Sequence, residues 1–425
     1  MPCLSKGREK GRHVTGLLRG LLTPERAQIT LRVAPIVYLI AVAAVYIKNL
    51  RHDPEHGLLL ASDFYCFWLA AKAAVSLDPA LVYDNHFFLQ YGGSLFEEAG
   101  LLHFFYPPTF LLLTAPLGYL PEIAAFLVFF GGSLAVYAYM GRCAYGNWNG
   151  ALYLIALPTT FFVLFHGQNS LLMCALLGAA LVAIRSEKYV LAGILIGCLT
   201  IKPQIGLLIP FALLAGRYWT VVGVAVLTTL LLALASWAAF GTETWVAFLD
   251  QTLFAKEIVD HEHLPFVLHV TPFTTLQQLG VPSALAMFFQ VALAIALLVL
   301  TVLIWLRNIP FDLKAAVLGS AALLATPYLL SYDLALLAVP IIFLLHYSRS
   351  TALSVTEKWV LAAAIAFTVL SKLLNLNFGV PLGPVAPALL LGFACRRAFL
   401  HRAESRCFAG PVGSLPVLER RPGLE

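Results

Sequence analysis

The first residue whose chemistry stands out is a carboxylate among aromatic side chains. Asp63 opens the run Asp63-Phe-Tyr-Cys-Phe-Trp68. The segment 63–76 has the pattern of an amphipathic helix, with Phe64, Phe67 and Trp68 on one face. A carboxylate held beside apolar rings at a membrane surface can act as a general base on a hydroxyl. In the simpler interpretation, the carboxylate only caps the helix.

Further polar residues follow between apolar stretches. His166, Gln168 and Asn169 stand close together between two such stretches and need either water or hydrogen-bond partners. They form either an interfacial turn or a site that hydrogen-bonds a sugar or a phosphate. Lys202 lies in an apolar context, where a lysine either contacts an anion such as a lipid phosphate or extends to the interface. Asp333 is another charge at the edge of an apolar stretch, and it could pair with Lys202 or with an arginine.

Three histidines occur in the stretch 241–283. His261 and His263 could be metal ligands, but they are two residues apart and no third ligand has a clear spacing. His269 either contacts a substrate or is a solvated loop residue. The seven cysteines form no CxxC motif and no pairing with histidine. We therefore expect neither a metal site nor a cofactor.

The elements that must position these residues are apolar. The chain has 425 residues, of which 60% are hydrophobic and only 12% are charged, against about 25% charged in an ordinary soluble domain. Apolar stretches of about 18 residues, each long enough to cross a hydrocarbon core of about 30 Å, recur along almost the whole length. The composition predicts an all-α protein that crosses the membrane many times.

The positions of the basic residues predict its topology. They concentrate in the N-terminal segment 1–32, in short loops and in the C-terminal tail 401–425, and such flanks normally stay in the cytoplasm. We predict about twelve transmembrane helices in a single domain, 33–400, with both termini cytoplasmic. The extracytoplasmic loops would be 51–106, with amphipathic helices, and 241–283. As topology signals, the basic ends do not indicate a nucleic-acid partner.

This topology places the polar residues on one side of the membrane, which implies that they share a water-filled cavity there. No GxGxxG, P-loop, nucleophile elbow or DxD pair accompanies them, which argues against ATP or a nucleotide sugar as substrate. An activated group must then arrive from the membrane. A transporter or flippase is the main alternative, but it predicts inverted repeats and a charged path through the mid-membrane. A non-catalytic subunit of an envelope-assembly complex is a third possibility.

A set of short segments resembles the bacterial membrane glycosyltransferases of family 87 in order and spacing. The resemblance runs from about residue 33 to 345, and more loosely to 400. It is carried by Asp63-Phe-Tyr, Leu81-Val-Tyr-Asp84, Phe105-Tyr-Pro-Pro-Thr-Phe110, Ala115-Pro-Leu, His166-Gly-Gln-Asn169 and Ile201-Lys-Pro203.

The resemblance implies the GT-C fold and an inverting, metal-independent hexosyltransferase of a bacterial inner membrane. The sugar, with mannose as the expected hexose, would pass from a polyprenol-phosphate donor to a glycolipid or glycan hydroxyl on the extracytoplasmic face. By the same resemblance Asp63 is the base, while position suggests that Lys202 stabilises the departing phosphate. The other candidate substrate contacts are Tyr65, Tyr106, His166, Gln168, Asn169 and His269.

Overall fold

The computed structural model describes residues 24–52, 62–84, 86–87, 104–260 and 269–408. This part of the chain is almost entirely helical, and its β-type pairing is an isolated antiparallel bridge between His269 and Leu330. The first helices are α1 (Pro24–His52), α2 (Ser62–Ser76), α3 (Pro108–Thr114), α4 (Glu122–Tyr145), α5 (Trp148–Ile155), α6 (Pro158–His166), α7 (Ser170–Arg185) and α8 (Tyr189–Gly197). The later helices are α9 (Ile209–Ala215), α10 (Trp219–Asp260), α11 (Pro272–Gln278), α12 (Ser283–Trp305), α13 (Phe311–Ala325), α14 (Ala338–Tyr347), α15 (Val355–Phe378) and α16 (Val385–Phe408).

The predicted all-α class is confirmed, while the number of membrane crossings stays a prediction. In the described part of the chain, four helices are long and apolar enough to cross a membrane: α4, residues Trp219–Thr252 of α10, α12 and α15. Helices α5 and α6, bent by 61° to each other, would make a fifth span if counted together. The remaining apolar segments form shorter helices, so length alone does not support about twelve spans.

The second predicted outer loop, 241–283, is helical over its first part. Helix α10 continues to Asp260, across a break at Gly241 where φ is 81° and ψ is 174°. A positive φ of this kind strongly favours glycine, since other side chains rarely adopt it. The polar stretch therefore begins as a helix that extends beyond the apolar part of α10.

The interior of the bundle is formed by short helices that are apolar on all sides. Helix α13 is buried along nearly its whole length, and α14 is buried from Ala338 to Leu344. Helix α7 buries most of its residues against α4 and α8. A helix that is hydrophobic all round belongs in the core of a large protein or in a membrane. The long helices surround this core and expose apolar side chains such as Leu230 and Phe288, 60% and 65% exposed.

One end of the bundle is rich in arginine. Arg185 forms an ion pair of 2.8 Å with Asp312 and donates to the carbonyl of Ala144 at 2.8 Å. His346 also contacts Asp312 at 2.8 Å, and Arg349 donates to the carbonyl of Tyr145 at 2.6 Å. The two arginines supply donors to carbonyls that the C-terminus of α4 leaves unpaired. Arg185, Asp312, His346 and Arg349 are called the arginine end below.

Candidate functional site

Helix α2 is held in place by aromatic packing. Phe64 and Phe67 are almost fully buried. The ring of Phe64 packs edge-on against Phe130, and the ring of Phe67 packs edge-on against Tyr106. Contacts of this kind add to the stabilisation from burial alone. They anchor the first turn of α2, and so Asp63, against the bundle, as the predicted amphipathic helix requires.

Asp63 is linked to the bundle by a chain of hydrogen bonds. Nε2 of Gln168 donates to Oδ2 of Asp63 at 2.7 Å. The hydroxyl of Tyr106 donates to Oε1 of Gln168 at 2.9 Å, which fixes the orientation of the amide. The hydroxyl of Tyr83 in turn donates to the carbonyl of Tyr106 at 2.9 Å. Four of the resemblance segments are thus joined by one chain of hydrogen bonds that ends at this carboxylate.

The segment His166-Gly-Gln-Asn169 is the turn between α6 and α7. Gly167 ends α6 with φ 74° and ψ 34°, a left-handed conformation that suits glycine at a helix C-terminus. The tight turn points Gln168 at Asp63 and leaves Asn169 fully buried. Neither Oδ1 nor Nδ2 of Asn169 has a hydrogen-bond partner among the described residues. A buried amide without partners costs about 1–3 kcal/mol, so a ligand hydroxyl that reached it would be bound favourably.

Lys202 forms a buried ion pair with Asp333. It lies between two short 3-10 turns, where Pro203 interrupts the helical path. Its Nζ donates to Oδ1 of Asp333 at 2.6 Å, and both residues are almost fully buried. The hydroxyl of Ser170 donates to the same Oδ1 at 2.7 Å, and the backbone N–H of Leu330 to Oδ2 at 3.3 Å. Of the two partners left open for Asp333, lysine or arginine, the structure shows Lys202, and the anion that Lys202 contacts here comes from the chain itself.

These residues form one unit, called the polar cluster: Asp63, Tyr106, Gln168, Lys202 and Asp333. Burial raises the pKa of Asp63 to about 6, partly offset by the Gln168 hydrogen bond and the Lys202 charge, while the Asp333 charge raises it further. A carboxylate of that pKa is mostly ionised at pH 7, yet is basic enough to accept a proton from a hydroxyl. Burial also raises the pKa of Tyr106 well above its ordinary value, so its hydroxyl remains a donor.

His166 lies beside the polar cluster and contacts Lys372, a lysine that the sequence patterns do not identify. Its ring packs against Tyr332, with centroids 5.9 Å apart, next to Asp333. On another side, Nε2 of His166 lies 3.0 Å from Nζ of Lys372 on α15. No motif surrounds Lys372 in the sequence, and only the folded chain brings it to His166.

Two other residues predicted to contact substrate, His269 and Tyr65, make none of the hydrogen bonds of the polar cluster described above. The backbone of His269 pairs with Leu330, three residues before Asp333. Burial lowers the pKa of His269 to about 4, so its imidazole is neutral at pH 7. Its Nδ1 has no hydrogen-bond partner within the described ranges. Tyr65 packs against Trp68 on α2, with ring centroids 5.8 Å apart.

The structure bears on a metal site only for the residues that it describes. His261 and His263 lie outside the described residues. Among the residues that are described, no group of three or more histidine, cysteine, aspartate or glutamate side chains could hold a metal ion.

The polar cluster and the arginine end lie at opposite ends of the same helices. Helix α7 begins at Ser170, which bonds Asp333, and ends at Arg185, which bonds Asp312. The segment from Asp333 through α14 runs in the same way: it begins in the polar cluster, and His346 in the last turn of α14 contacts Asp312. All polar side chains of the cluster therefore gather at one end of the bundle, and the arginines at the other.

The fold and this one-sided site define a helical membrane protein with a polar cluster at one end of its bundle. The family model described as glycosyltransferase family 87 matches residues 104–327, just over half of the chain. The chain belongs to glycosyltransferase family 87, which indicates glycosyltransferase activity. The match includes Tyr106, Gln168 and Lys202, whereas Asp63 and Asp333 lie outside it. Comparison with curated proteins and with solved structures finds no match.

Proposed function

We propose that the protein transfers a hexose, mannose being the expected sugar, from a polyprenol-phosphate donor to a hydroxyl of a glycolipid or glycan acceptor. The observation that carries the proposal is the hydrogen bond from Gln168 to Asp63, which joins a carboxylate of pKa about 6 to the polar cluster. The family supports transfer of a sugar, and the gathering of polar groups at one end of the bundle supports a reaction at one membrane face.

In the proposed reaction, Asp63 accepts the proton of the acceptor hydroxyl. The acceptor oxygen forms a bond to the anomeric carbon, and the bond from that carbon to the phosphate oxygen breaks with its electron pair leaving on the phosphate. This displacement inverts the anomeric centre and needs no metal ion. Gln168 and Tyr106 orient Asp63, since each donates in the chain of hydrogen bonds that ends on its Oδ2.

Further residues are proposed to recognise the substrates, and the two ends of the bundle are proposed to face opposite sides of the membrane. Asn169, with its amide unpartnered in the described structure, is the proposed contact for a sugar hydroxyl. His269 and Tyr65 are proposed to contact substrate. The arginine end is the proposed cytoplasmic end, because basic residues beside spans resist translocation, and the polar cluster then faces the outside of a bacterial inner membrane. A GT-C fold and cytoplasmic termini belong to the same proposal.

A transfer assay tests the proposed function. Membranes containing the wild-type protein or Asp63→Asn are incubated with labelled polyprenol-phosphate-mannose and an extract of envelope glycolipids. We expect labelled glycolipid with the wild type and almost none with the variant. Full transfer by the variant would eliminate Asp63 as the base. Transfer by the wild type from a nucleotide sugar in the absence of the lipid donor would refute the proposed donor class.

A further inference from the structure

We propose that Lys372 and His166 bind the phosphate group of the lipid-linked donor, and of the polyprenyl phosphate that remains after transfer. This inference rests on the proposed function, because it names the part of the site that holds the leaving group. It assigns a binding role to Lys372, a residue outside the segment that the family model matches.

The charge of Lys202 is already compensated within the protein. Its Nζ lies 2.6 Å from Oδ1 of Asp333, and Ser170 donates to the same oxygen. With Asp63 ionised, the polar cluster carries two carboxylates and a single ammonium group, which leaves it negative. A phosphate that approached only this cluster would be repelled, and another cation must compensate its charge.

Lys372 is a cation without a carboxylate. Within the described parts of the chain, no carboxylate lies within 4.0 Å of its Nζ, whose contacts are Nε2 of His166 at 3.0 Å and the ring of Phe162 at 5.2 Å. The residue is half-buried on α15, one of the helices long and apolar enough to span a membrane. An ionisable group in such a helix is costly and commonly marks a substrate pathway.

The contact between the two side chains determines which protons they offer. An ammonium group has only donors, so Nε2 of His166 accepts from Lys372 and Nδ1 of the neutral ring carries its proton. Two protons on Nζ of Lys372 then have no hydrogen-bond partner in the described structure. An ammonium with unused protons beside an imidazole N–H suits the oxygens of a phosphate, and charge-assisted hydrogen bonds of this type are strong.

The pair is connected to the proposed base through the turn 166–169. His166 and Gln168 are separated by one residue, so their Cα atoms are at most about 7.6 Å apart. Gln168 holds Asp63, and the ring of His166 packs against Tyr332, the neighbour of Asp333. The turn 166–169 therefore carries both a residue of the proposed phosphate site and the residue that holds the proposed base.

The surface around Lys372 favours a phosphate that is attached to a lipid. Leu370, Leu373 and Leu376 on the same helix are 40%, 50% and 54% exposed. Exposed leucines on a candidate membrane helix suit apolar chains, and a polyprenyl chain is apolar along its whole length. A charged headgroup at Lys372 with an apolar chain along α15 matches a polyprenyl phosphate better than free phosphate does.

Lipid binding by the full-length protein tests the assignment without relying on transfer. Detergent-solubilised wild type, Lys372→Met and Lys358→Met are titrated with polyprenyl phosphate, with polyprenol, with inorganic phosphate and with phosphatidylglycerol, and bound lipid is measured by native mass spectrometry. Lys358, exposed on the same helix, is the matched control. Lys372→Arg, which keeps the charge, controls for misfolding.

We expect Lys372→Met to weaken polyprenyl phosphate binding about tenfold or more, as the loss of a charge-assisted hydrogen bond predicts. Polyprenol binding should not change, and Lys358→Met and Lys372→Arg should bind polyprenyl phosphate like the wild type. An unchanged affinity in Lys372→Met, or an equal loss for polyprenol, would overturn the phosphate site. Binding of inorganic phosphate or phosphatidylglycerol as tight as that of polyprenyl phosphate would overturn the lipid-linked donor as its ligand.

The two proposals fail in different ways. If wild-type protein transfers sugar while Lys372→Met keeps its affinity for polyprenyl phosphate, the phosphate site is wrong and the proposed function stands. If Lys372→Met loses that affinity while wild-type protein transfers no sugar from any polyprenol-phosphate donor, the phosphate site stands and the proposed function is wrong.

Discussion

Replacing Asp63 with asparagine should abolish activity and stabilise the protein. Asparagine has nearly the shape of aspartate, and its Oδ1 can still accept the hydrogen bond from Nε2 of Gln168. The variant has no carboxylate to take the proton of the acceptor. General-base catalysis typically contributes about 10²–10⁴-fold, so we expect transfer to fall by that factor.

The stabilisation follows from the raised pKa of Asp63. Folding moves this pKa from 3.8 to about 6, chiefly through burial. Between these values the folded state binds more protons than the unfolded state, so stability decreases as the pH rises from about 4 to about 6 and is constant above. Two pKa units correspond to about 3 kcal/mol at pH 7, an upper value for the gain in Asp63→Asn. At pH 4 the variant and the wild type should be equally stable.

Thermal unfolding of the purified full-length protein between pH 4 and pH 8 measures this difference. The exposed Asp250 on α10 provides the control, because Asp250→Asn should leave both the pH dependence and the transfer rate unchanged. The kcat/KM of the wild type should also rise through pH 6 as Asp63 loses its proton. If Asp63→Asn were less stable than the wild type at pH 7.5, or showed the same decrease in stability from pH 4 to pH 6, the inference about burial of this charge would be refuted.

Three further substitutions test the surroundings of Asp63. Lys202→Met should lower the free energy of unfolding by about 3–5 kcal/mol, because Asp333 remains buried without its partner. In thermal unfolding, the double variant Lys202→Met/Asp333→Asn should recover most of the lost stability. An equal loss in the single and the double variant would contradict the ion pair. Tyr106→Phe should lower kcat about two- to tenfold and the free energy of unfolding by only about 1 kcal/mol, as loss of its hydrogen bond to Gln168 predicts. A wild-type kcat would show that Gln168 is oriented without it. Asn169→Leu should raise the KM for the donor. Its stability should be at least that of the wild type, since neither amide atom of Asn169 has a partner in the described structure. An unchanged KM would exclude the sugar contact.

Much of the helical arrangement can be predicted from the sequence, because apolar periodicity and proline positions are local properties. The helix at 63–76 is predicted from neighbouring residues and is confirmed. The number of spans is harder to predict. Apolar segments such as that of α13 have the composition of a transmembrane helix, yet in the fold they are short elements packed inside the bundle.

The polar cluster is predictable only in part. The topology predicted from the basic residues puts Asp63, Gln168 and Lys202 on one side of the membrane, but their partners depend on packing between distant segments. The hydrogen bond from Gln168 to Asp63 joins residues 105 positions apart, and the Lys202–Asp333 pair spans 131 positions. Lys372 carries no local signal at all, since a single lysine near the end of an apolar stretch usually extends to the interface.

Helix α7 has a consequence for the position of the two polar ends in the bilayer. It connects the polar cluster to the arginine end with 16 residues, a length of about 24 Å. An unperturbed hydrocarbon core is about 30 Å thick, so the two polar ends are closer together than the two faces of such a core. Because α7 is buried while α4, α12 and α15 are 23 or 24 residues long, or about 35 Å, the outer helices still span such a core. At least one of the two polar ends therefore lies recessed among these longer helices. If the polar cluster is the recessed end, reconstitution in lipids of increasing acyl-chain length should slow transfer progressively, because thicker bilayers place the acceptor farther above the reacting sugar.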